Sequence, residues 1–531
     1  MKLLLLDLHA SKLFKNDKPS CWLEFETASR HSTPNHRMAL RLLTCAVLAA
    51  VGSVDAAEPA CPASEPRCGQ EDASLMQVKH QQVAAQPEGE ASTDVDQILS
   101  DVPADWPGWL GAMKAQEQAR IVAAGQTNGV FNECTPSGTN RCPMSSFGGR
   151  KTIVRPGGQT SCLDSSGGEY AFLVTPGDTD KLLFYLQGGG ACWDPISWAI
   201  GACTKNITFA FDTSGMRSGK GMFNPSNGEN VYQKFTIVEI LYCSGDGHVG
   251  NTTRNFTDSS GDGYRKPQVG HQNVKAALDW TLANTDAKLS QLTITGDSAG
   301  ALGTQAWANS LLQEKFKYEK ANVIVDSYAA YFPADTTAPT IQSFGACDLP
   351  IFTQAQQTLC TDGVLTVPMF MSQTIQGNPL VPFAYLQSKA DLVQRGFYDL
   401  IWFTYVLQGR TSEQNWLGIS GPDFYSGTNE LFQVYNEFSN FAVFYVDGET
   451  HTFTEMDWYY TAGTLGSTSG SPHNQPPMYE WVNGFTEGDG CPGSQCNSQL
   501  EGNNADSTEY CDQQLFPKSC SVSTAPAREV Q

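Results

Sequence analysis

Short apolar runs recur through the middle of the chain. Residues 181–187, 235–242, 291–295, 322–326, 367–372 and 441–446 are mostly Val, Ile, Leu, Phe and Met, with little alternation between polar and apolar positions. Strands that face solvent on one side alternate, whereas strands covered on both sides read as continuous apolar runs. Between them lie stretches with helical patterning, 271–284 before the third run and 299–319 after it. Buried strands alternating with helices predict an α/β fold, a mostly parallel central sheet flanked by helices. Sheets of that kind bind ligands beyond the carboxyl ends of their strands. Chemistry is therefore expected in the residues that immediately follow the apolar runs.

Outside the central region the pattern fades. Residues 1–56 read as a targeting region. From Met38 they carry Arg41, an apolar run over 42–51 and small residues at Ser53, Ala56 and Ala57, the pattern of a secretory signal peptide. Residues 57–108 are rich in Ala, Glu, Gln, Pro and Ser and predict a low-complexity linker or pro-segment. Residues 109–487 form the expected catalytic domain. Residues 488–531 place Cys491, Cys496, Cys511 and Cys520 among Asn, Gly, Ser and Asp, which predicts a disulfide-pinned surface tail. No run approaches the 18 or so apolar residues that a membrane-spanning helix needs.

Composition narrows the function classes. The formal charge of −22 argues against a nucleic-acid partner, because a phosphate backbone is bound by basic patches. Sixteen cysteines without paired CxxC spacing point to disulfides in an oxidising compartment, and hence to secretion, rather than to a zinc site. The glycosylation sequons at Asn206, Asn251 and Asn255 agree with that compartment.

Three motifs stand where chemistry is expected. Gly296-Asp297-Ser298-Ala299-Gly300 follows one strand run and opens a helix, the setting of a G-x-S-x-G nucleophile elbow. Small residues two before and two after the serine are needed because helix and strand pass close to each other there. A serine hydroxyl needs a base, and in this fold type the base follows the last strand. Asp447-Gly448-Glu449-Thr450-His451 follows the run at 441–446, and only His473 lies further on, in a Pro- and Ser-rich stretch. His451 is thus the candidate base. Acyl transfer also needs N–H donors for an oxyanion. Gly188-Gly189-Gly190-Ala191 follows the first run, and Ala299 follows the nucleophile. Three consecutive glycines let backbone N–H groups approach a ligand closely, and the Ala299 N–H is the candidate partner donor. No G-K-[ST] follows the glycines, which argues against a phosphate cradle.

Five pieces in order resemble the pectin acetylesterase and Notum family: LQGGGACWD at 186–194, LYCSGDGHVGN at 241–251, GDSAGALG at 296–303, VDSYAAYF at 325–332 and the His451-Thr452-Phe453 turn. They span roughly residues 162–463. The resemblance implies an α/β-hydrolase-like fold and an enzyme that hydrolyses carboxylic esters with a Ser–Asp–His triad, without metal or organic cofactor. By motif it makes Ser298 the nucleophile and His451 the base, and puts Gly189, Gly190, Ala191 and Ala299 around the oxyanion. It places Trp193, Asp246 and His248 beside the substrate, although a loop-stabilising hydrogen bond is an alternative role for His248. It also offers Cys192 with Cys203, and Cys347 with Cys360, as disulfides.

The triad acid is where the sequence departs from the family. Its place, read after the run at 367–372, falls on Gly377 beside Asn378, and the next carboxylate is Asp391. Three readings stay open. Asn378 orients the imidazole, or Asp447 or Glu449 near the base has taken the role, or the protein is a weakened or inactive esterase that binds glycan. The resemblance implies removal of a short acyl group, acetyl above all, from an acylated polysaccharide such as pectin. A Notum-like deacylation of lipidated protein is the alternative, and it demands a deep apolar pocket. The charge of −22 would repel de-esterified pectin, itself a polyanion, unless salt or calcium screens it.

Overall fold

The computed structural model describes residues 131–164, 169–207, 220–257, 263–408, 418–446, 448–462 and 477–487. The expected targeting region, the linker, the cysteine-bearing tail, His473 and Asp447 lie outside the described residues. Strands follow the chain as β1 (Asn132–Cys134), β2 (Thr152–Val154), β3 (Phe172–Thr175), β4 (Asp178–Leu186) and β5 (Phe235–Ile240). A separate antiparallel hairpin of β6 (Thr252–Thr257) and β7 (Gly263–Gln268) comes next. The remaining strands are β8 (Leu289–Asp297), β9 (Tyr318–Asp326), β10 (Phe383–Ser388) and β11 (Phe441–Val446).

All but the hairpin join one sheet in the order β1-β2-β3-β5-β4-β8-β9-β10-β11. From β5 to β11 every neighbouring pair is parallel, and the antiparallel pairs are confined to β3 and its two neighbours. The fold is therefore α/β with a mostly parallel central sheet. The helices named below are α1 (Pro195–Ala199), α2 (Gly270–Asn284), α3 (Ala299–Ser310), α4 (Thr337–Ser343), α5 (Gln354–Thr361), α6 (Val367–Gly377), α7 (Leu392–Leu407), α8 (Gly421–Tyr435) and α9 (Met478–Glu487).

Continuous apolar runs are explained by what covers them. In β4, Leu182, Phe184 and Leu186 join one apolar cluster while Leu183 and Tyr185 join another, and β11 divides the same way between Phe441, Val443, Tyr445 and Ala442, Phe444, Val446. Both faces of the sheet are thus buried. One is covered by residues of α2, α3, α6 and α8, the other by α9 and the turn at Met222–Phe223.

Two expectations are corrected. The run at 367–372 is not a strand but the first half of α6. Its buried apolar positions, Val367, Phe370, Met371 and Ile375, follow the three-and-four spacing of one helix face. Pro368, in the first turn, fits a helix start, where its missing N–H costs nothing. The strand that the run was expected to supply is β10. The helix expected over 299–319 is also shorter. α3 ends at Ser310, a π-helical turn covers Leu311–Lys315, and β9 begins at Tyr318.

Four disulfides are present among the described residues, Cys134–Cys142, Cys162–Cys243, Cys192–Cys203 and Cys347–Cys360. The last two are the pairs that the resemblance implied. Cys192–Cys203 spans a sequence separation of 11 beside the glycine loop. A cross-link closing so short a loop stabilises by about 3 kcal/mol, mainly by restricting the unfolded chain. Among the described residues no helix is long and apolar enough to cross a membrane.

Candidate active site

β8 ends at Asp297 and α3 begins at Ala299, so Ser298 is the single residue of the turn between them. Its φ of 52° and ψ of −123° are strained for a residue with a Cβ. The turn is held from below, because the Ser298 N–H donates to Asp326 O at 2.9 Å. A Cβ on Gly300 would run into the carbonyl of Leu186, and one on Gly296 would meet the carbonyl of Gly300. That crowding is the physical reason for small residues on both sides of the serine.

His451 lies in the loop after β11, 4% exposed, with Nδ1 at 3.0 and 2.9 Å from the two carboxylate oxygens of Asp391. An ionised carboxylate only accepts hydrogen bonds, so this pairing puts the ring proton on Nδ1 and leaves Nε2 as the basic nitrogen. Asp391 caps α7. Its Oδ1 accepts from Gln394 N and its Oδ2 from Gln394 Nε2, both at 2.9 Å. Gln394 is fixed in turn, with Nε2 donating to Gln387 Oε1 and Oε1 accepting from Ala329 N.

The acid beside His451 is therefore Asp391, and Asn378 is corrected as its orienting partner. Asn378 ends α6, where its Nδ2 donates to Thr374 O at 2.7 Å and its Oδ1 accepts from Gln313. It has no contact with the imidazole. Glu449 is engaged elsewhere, in an ion pair with Arg395 at 3.0 Å.

The glycine loop leaves β4 and folds over Ser298. Gly188 N–H donates to Asp297 Oδ1 at 2.9 Å. Gly190 has φ +70°, and a Cβ there would run into the carbonyl of Ala202. Ala191 is corrected as an oxyanion donor, because its N–H is already given to Ala202 O at 3.0 Å. The N–H groups of Gly189 and Gly190 meet no acceptor among the described residues. Ala299, the first residue of α3, has no intrahelical acceptor by position. Gly190 and Ala299 line one cavity with Ser298 and His451.

Asp246 and His248 are corrected as substrate-adjacent residues, because neither lines that cavity. Both are buried, 0% and 1% exposed, behind the glycine loop. Asp246 accepts from Ser244 Oγ, His248 N and Gly270 N, and burial pushes its carboxyl up. Burial lowers His248 to about 4, and its Nε2 lies 2.8 Å from Gln187 O, so a neutral ring donates to the strand end that carries the loop. Trp193 does line the cavity, with Nε1 donating to Thr404 Oγ1 at 3.2 Å.

That cavity has a volume of about 660 Å³, part of it open to solvent. Beyond Ser298 and His451 its walls are largely apolar: Trp193, Leu302, Phe332, Phe344, Phe397 and Ile401 among them. Asp391 and Gln394 escaped the sequence reading because the acid was sought after the wrong apolar run. The available signal was Phe383–Ser388, a six-residue run ending three positions before Asp391. Asp297 and Asp326, whose carboxylates hold loops beneath the site, stand inside the motifs at 296–303 and 325–332, but nothing in those motifs gave them a role.

The Pectinacetylesterase family model matches residues 150–372. That span holds the glycine loop and Ser298 and ends before Asp391 and His451. Two crystal forms of the Wnt deacylase Notum from Drosophila align with the chain at 15% and 16% identity and TM-scores of 0.38 and 0.36. Each covers 57% of this chain, and 86% and 85% of their own. A mutant esterase aligns at 9% identity and a TM-score of 0.26, over 60% of this chain and 97% of its own. No curated protein matches the chain.

Proposed function

We propose that this chain is a serine carboxylesterase in which Ser298 is the nucleophile, His451 the base and Asp391 the acid that orients it. The observation that carries the reading is the His451–Asp391 pair, buried at 2.9 Å, whose imidazole lines the same cavity as a serine in a strained strand-to-helix turn. His451 Nε2 takes the Ser298 proton as Oγ attacks the ester carbonyl. Negative charge then develops on the carbonyl oxygen, and the N–H groups of Gly189, Gly190 and Ala299 stabilise it. His451 passes its proton to the departing alkoxide, and the alcohol leaves. Water, deprotonated by His451, attacks the acyl-enzyme and releases the acid. Asp391 fixes the tautomer and stabilises the imidazolium in both halves.

The cavity favours an acyl group larger than acetyl. Beyond Ser298 and His451 the walls are mostly aromatic and aliphatic side chains, a lining that suits an apolar acyl chain better than the two carbons of acetyl. The second reading, removal of acetyl from a polysaccharide such as pectin, is supported by the family that residues 150–372 match. The four disulfides support work in an oxidising compartment, and Asn251 and Asn255 are exposed, as glycosylation there requires.

The test is a p-nitrophenyl ester series from two to twelve carbons, run on wild type and Ser298→Ala. Hydrolysis is expected to be lost in the variant and, in wild type, to peak above two carbons. Equal rates in the two proteins would remove the esterase reading. A peak at acetate would return the substrate to the second reading.

A further inference from the structure

We propose that Asp326 is the positioning residue that sets the nucleophile against its base, an inference that rests on the roles given above to Ser298 and His451. Asp326 ends β9 and is the register partner of Asp297, the residue before Ser298 on β8. Its backbone and its side chain hold different halves of the site. The carbonyl accepts the Ser298 N–H at 2.9 Å. The carboxylate gathers the turn that follows His451: Oδ2 accepts from Phe453 N, Thr454 N and Thr454 Oγ1, each at 2.8 Å. Oδ1 accepts from Ser327 Oγ at 2.9 Å, and Ser327 Oγ accepts from Thr452 N at 3.0 Å.

Three successive amides after His451 thus converge on Asp326 and its neighbour. Such a run of backbone N–H groups forms a concave anion site, here filled by the protein's own carboxylate. Thr452 has φ 70°, a conformation that costs a residue with a Cβ and persists only where surrounding bonds enforce it. The same strand end reaches the acid too, because Ser327 N donates to Leu386 O, in the strand that leads to Asp391.

A buried chain of hydroxyls and carboxylates extends this hold to the oxyanion loop. Thr454 Oγ1 lies 3.3 Å from Tyr185 OH, which donates to Asp297 Oδ1 at 2.7 Å. The same Oδ1 accepts Gly188 N–H. Tyr185, Asp297, Asp326 and Thr454 are all fully buried. Burial, reinforced by the neighbouring Asp297, raises Asp326 to about 6, so above that pH it is an acceptor-only carboxylate suited to its four donors. No position in this network faces the cavity except Ser327 and Ser298, so Asp326 acts through the groups that it holds.

The test compares Asp326→Ala, Asp326→Asn and Ser327→Ala with wild type and Ser298→Ala, each checked for folding by near-ultraviolet dichroism. Asp326→Ala is expected to lose about 10²-fold in kcat with KM little changed, the cost of misplacing reacting groups by about an ångström. Asp326→Asn keeps an acceptor for the amides and is expected to recover most of that loss. Should Asp326→Ala not fold, Ser327→Ala carries the test, with kcat expected to fall about tenfold. A folded Asp326→Ala or Ser327→Ala variant with wild-type kcat and only a lowered Tm would reduce Asp326 to a structural brace and overturn the proposal. Activity surviving in Ser298→Ala would instead remove its premise.

Discussion

On the sheet side of Ser298 side chains are held by hydrogen bonds, and on the cavity side they are held by packing. Around and beneath the serine, Asp391 engages His451 and Gln394, Asp297 engages Gly188 and Tyr185, and Asp326 engages Ser327, Phe453 and Thr454. Above it, Trp193 and Phe397 pack 6.3 Å apart between ring centres, with Leu302, Phe344 and Ile401 around the same space. The two regions fail differently when altered. A directional bond lost from a buried network leaves a partner unsatisfied and moves a reacting atom. A methylene lost from an apolar wall changes which acyl chain fits, and by a modest factor. The lower region should therefore govern how fast the chemistry runs, and the upper one what enters.

Asp391→Asn is the strongest way to break that division. With Asn the partner of Nδ1 is no longer acceptor-only, and the imidazole can take the wrong tautomer. The corresponding exchange in a serine protease triad costs about 10⁴ in turnover, and a similar loss of kcat is expected here without unfolding. The paired control is Asn378→Ala, which removes the hydrogen bonds to Thr374 and Gln313 at the end of α6. It is expected to cost about 1 kcal/mol of stability and to leave kcat unchanged. Stopped-flow hydrolysis together with urea melts reads both variants. Equal kcat losses in the two would mean that His451 is not oriented by Asp391.

That contrast also marks what the sequence made legible. Ser298 and His451 could be placed because each sits at a fixed offset from a run whose character is local: a strand ending in a turn of small residues, and the last apolar strand before a loop. The acid depended on knowing which apolar run was a strand. Residues 367–372 are as apolar as β10, and only the spacing of buried apolar positions carried on to Ile375 shows a helix. The loop after β4 was legible as a glycine cluster, but which of its N–H groups are left without an acceptor was not. That depends on the Cys192–Cys203 hairpin, where Ala202 O takes the Ala191 N–H. Asp246 and His248 read as site residues because of their type and motif. Their burial, a tertiary fact, gives them to the loop instead.

A substitution in the apolar wall sharpens the comparison from the other side. Phe344→Ala opens space at the cavity wall, while Ile401→Trp fills it. The first is expected to shift the preferred p-nitrophenyl ester to longer chains and the second to shorter ones. The ratio of kcat/KM between short and long esters should change by about 10-fold to 100-fold, the range in which apolar pockets discriminate. Reaction with a small fluorophosphonate, which needs Ser298 and His451 but little of the cavity, should stay near wild type. Loss of that reactivity would show that the wall and the network are not separable.

One histidine on the sheet side is an exception to its own region. His271, in α2, is 5% exposed and stacks on Trp307 with ring centres 4.8 Å apart, yet its Nδ1 meets no hydrogen-bond partner among the described residues. Burial, with Lys275 adding a smaller push, lowers it to about 4. An unfolded chain protonates this ring near 6.5. Between pH 6.5 and 4 the unfolded state therefore binds a proton that the folded state refuses, and stability falls as the pH falls. His248, also lowered to about 4, acts in the same direction. Asp326, Asp246 and Asp194, raised by burial, act in the opposite one, because the folded state holds their protons to higher pH than the unfolded chain does. The difference between variants isolates the term. His271→Phe keeps the stack on Trp307 and removes the titration, so in urea melts its stability should drop less between pH 7 and 4 than that of wild type, by at most about 3 kcal/mol. Its kcat at pH 7.5 should not change, because the ring is neutral there and does not line the cavity. Parallel stability curves for the two proteins would mean that His271 takes up its proton in the folded state as readily as in the unfolded one, and that packing alone does not hold it neutral.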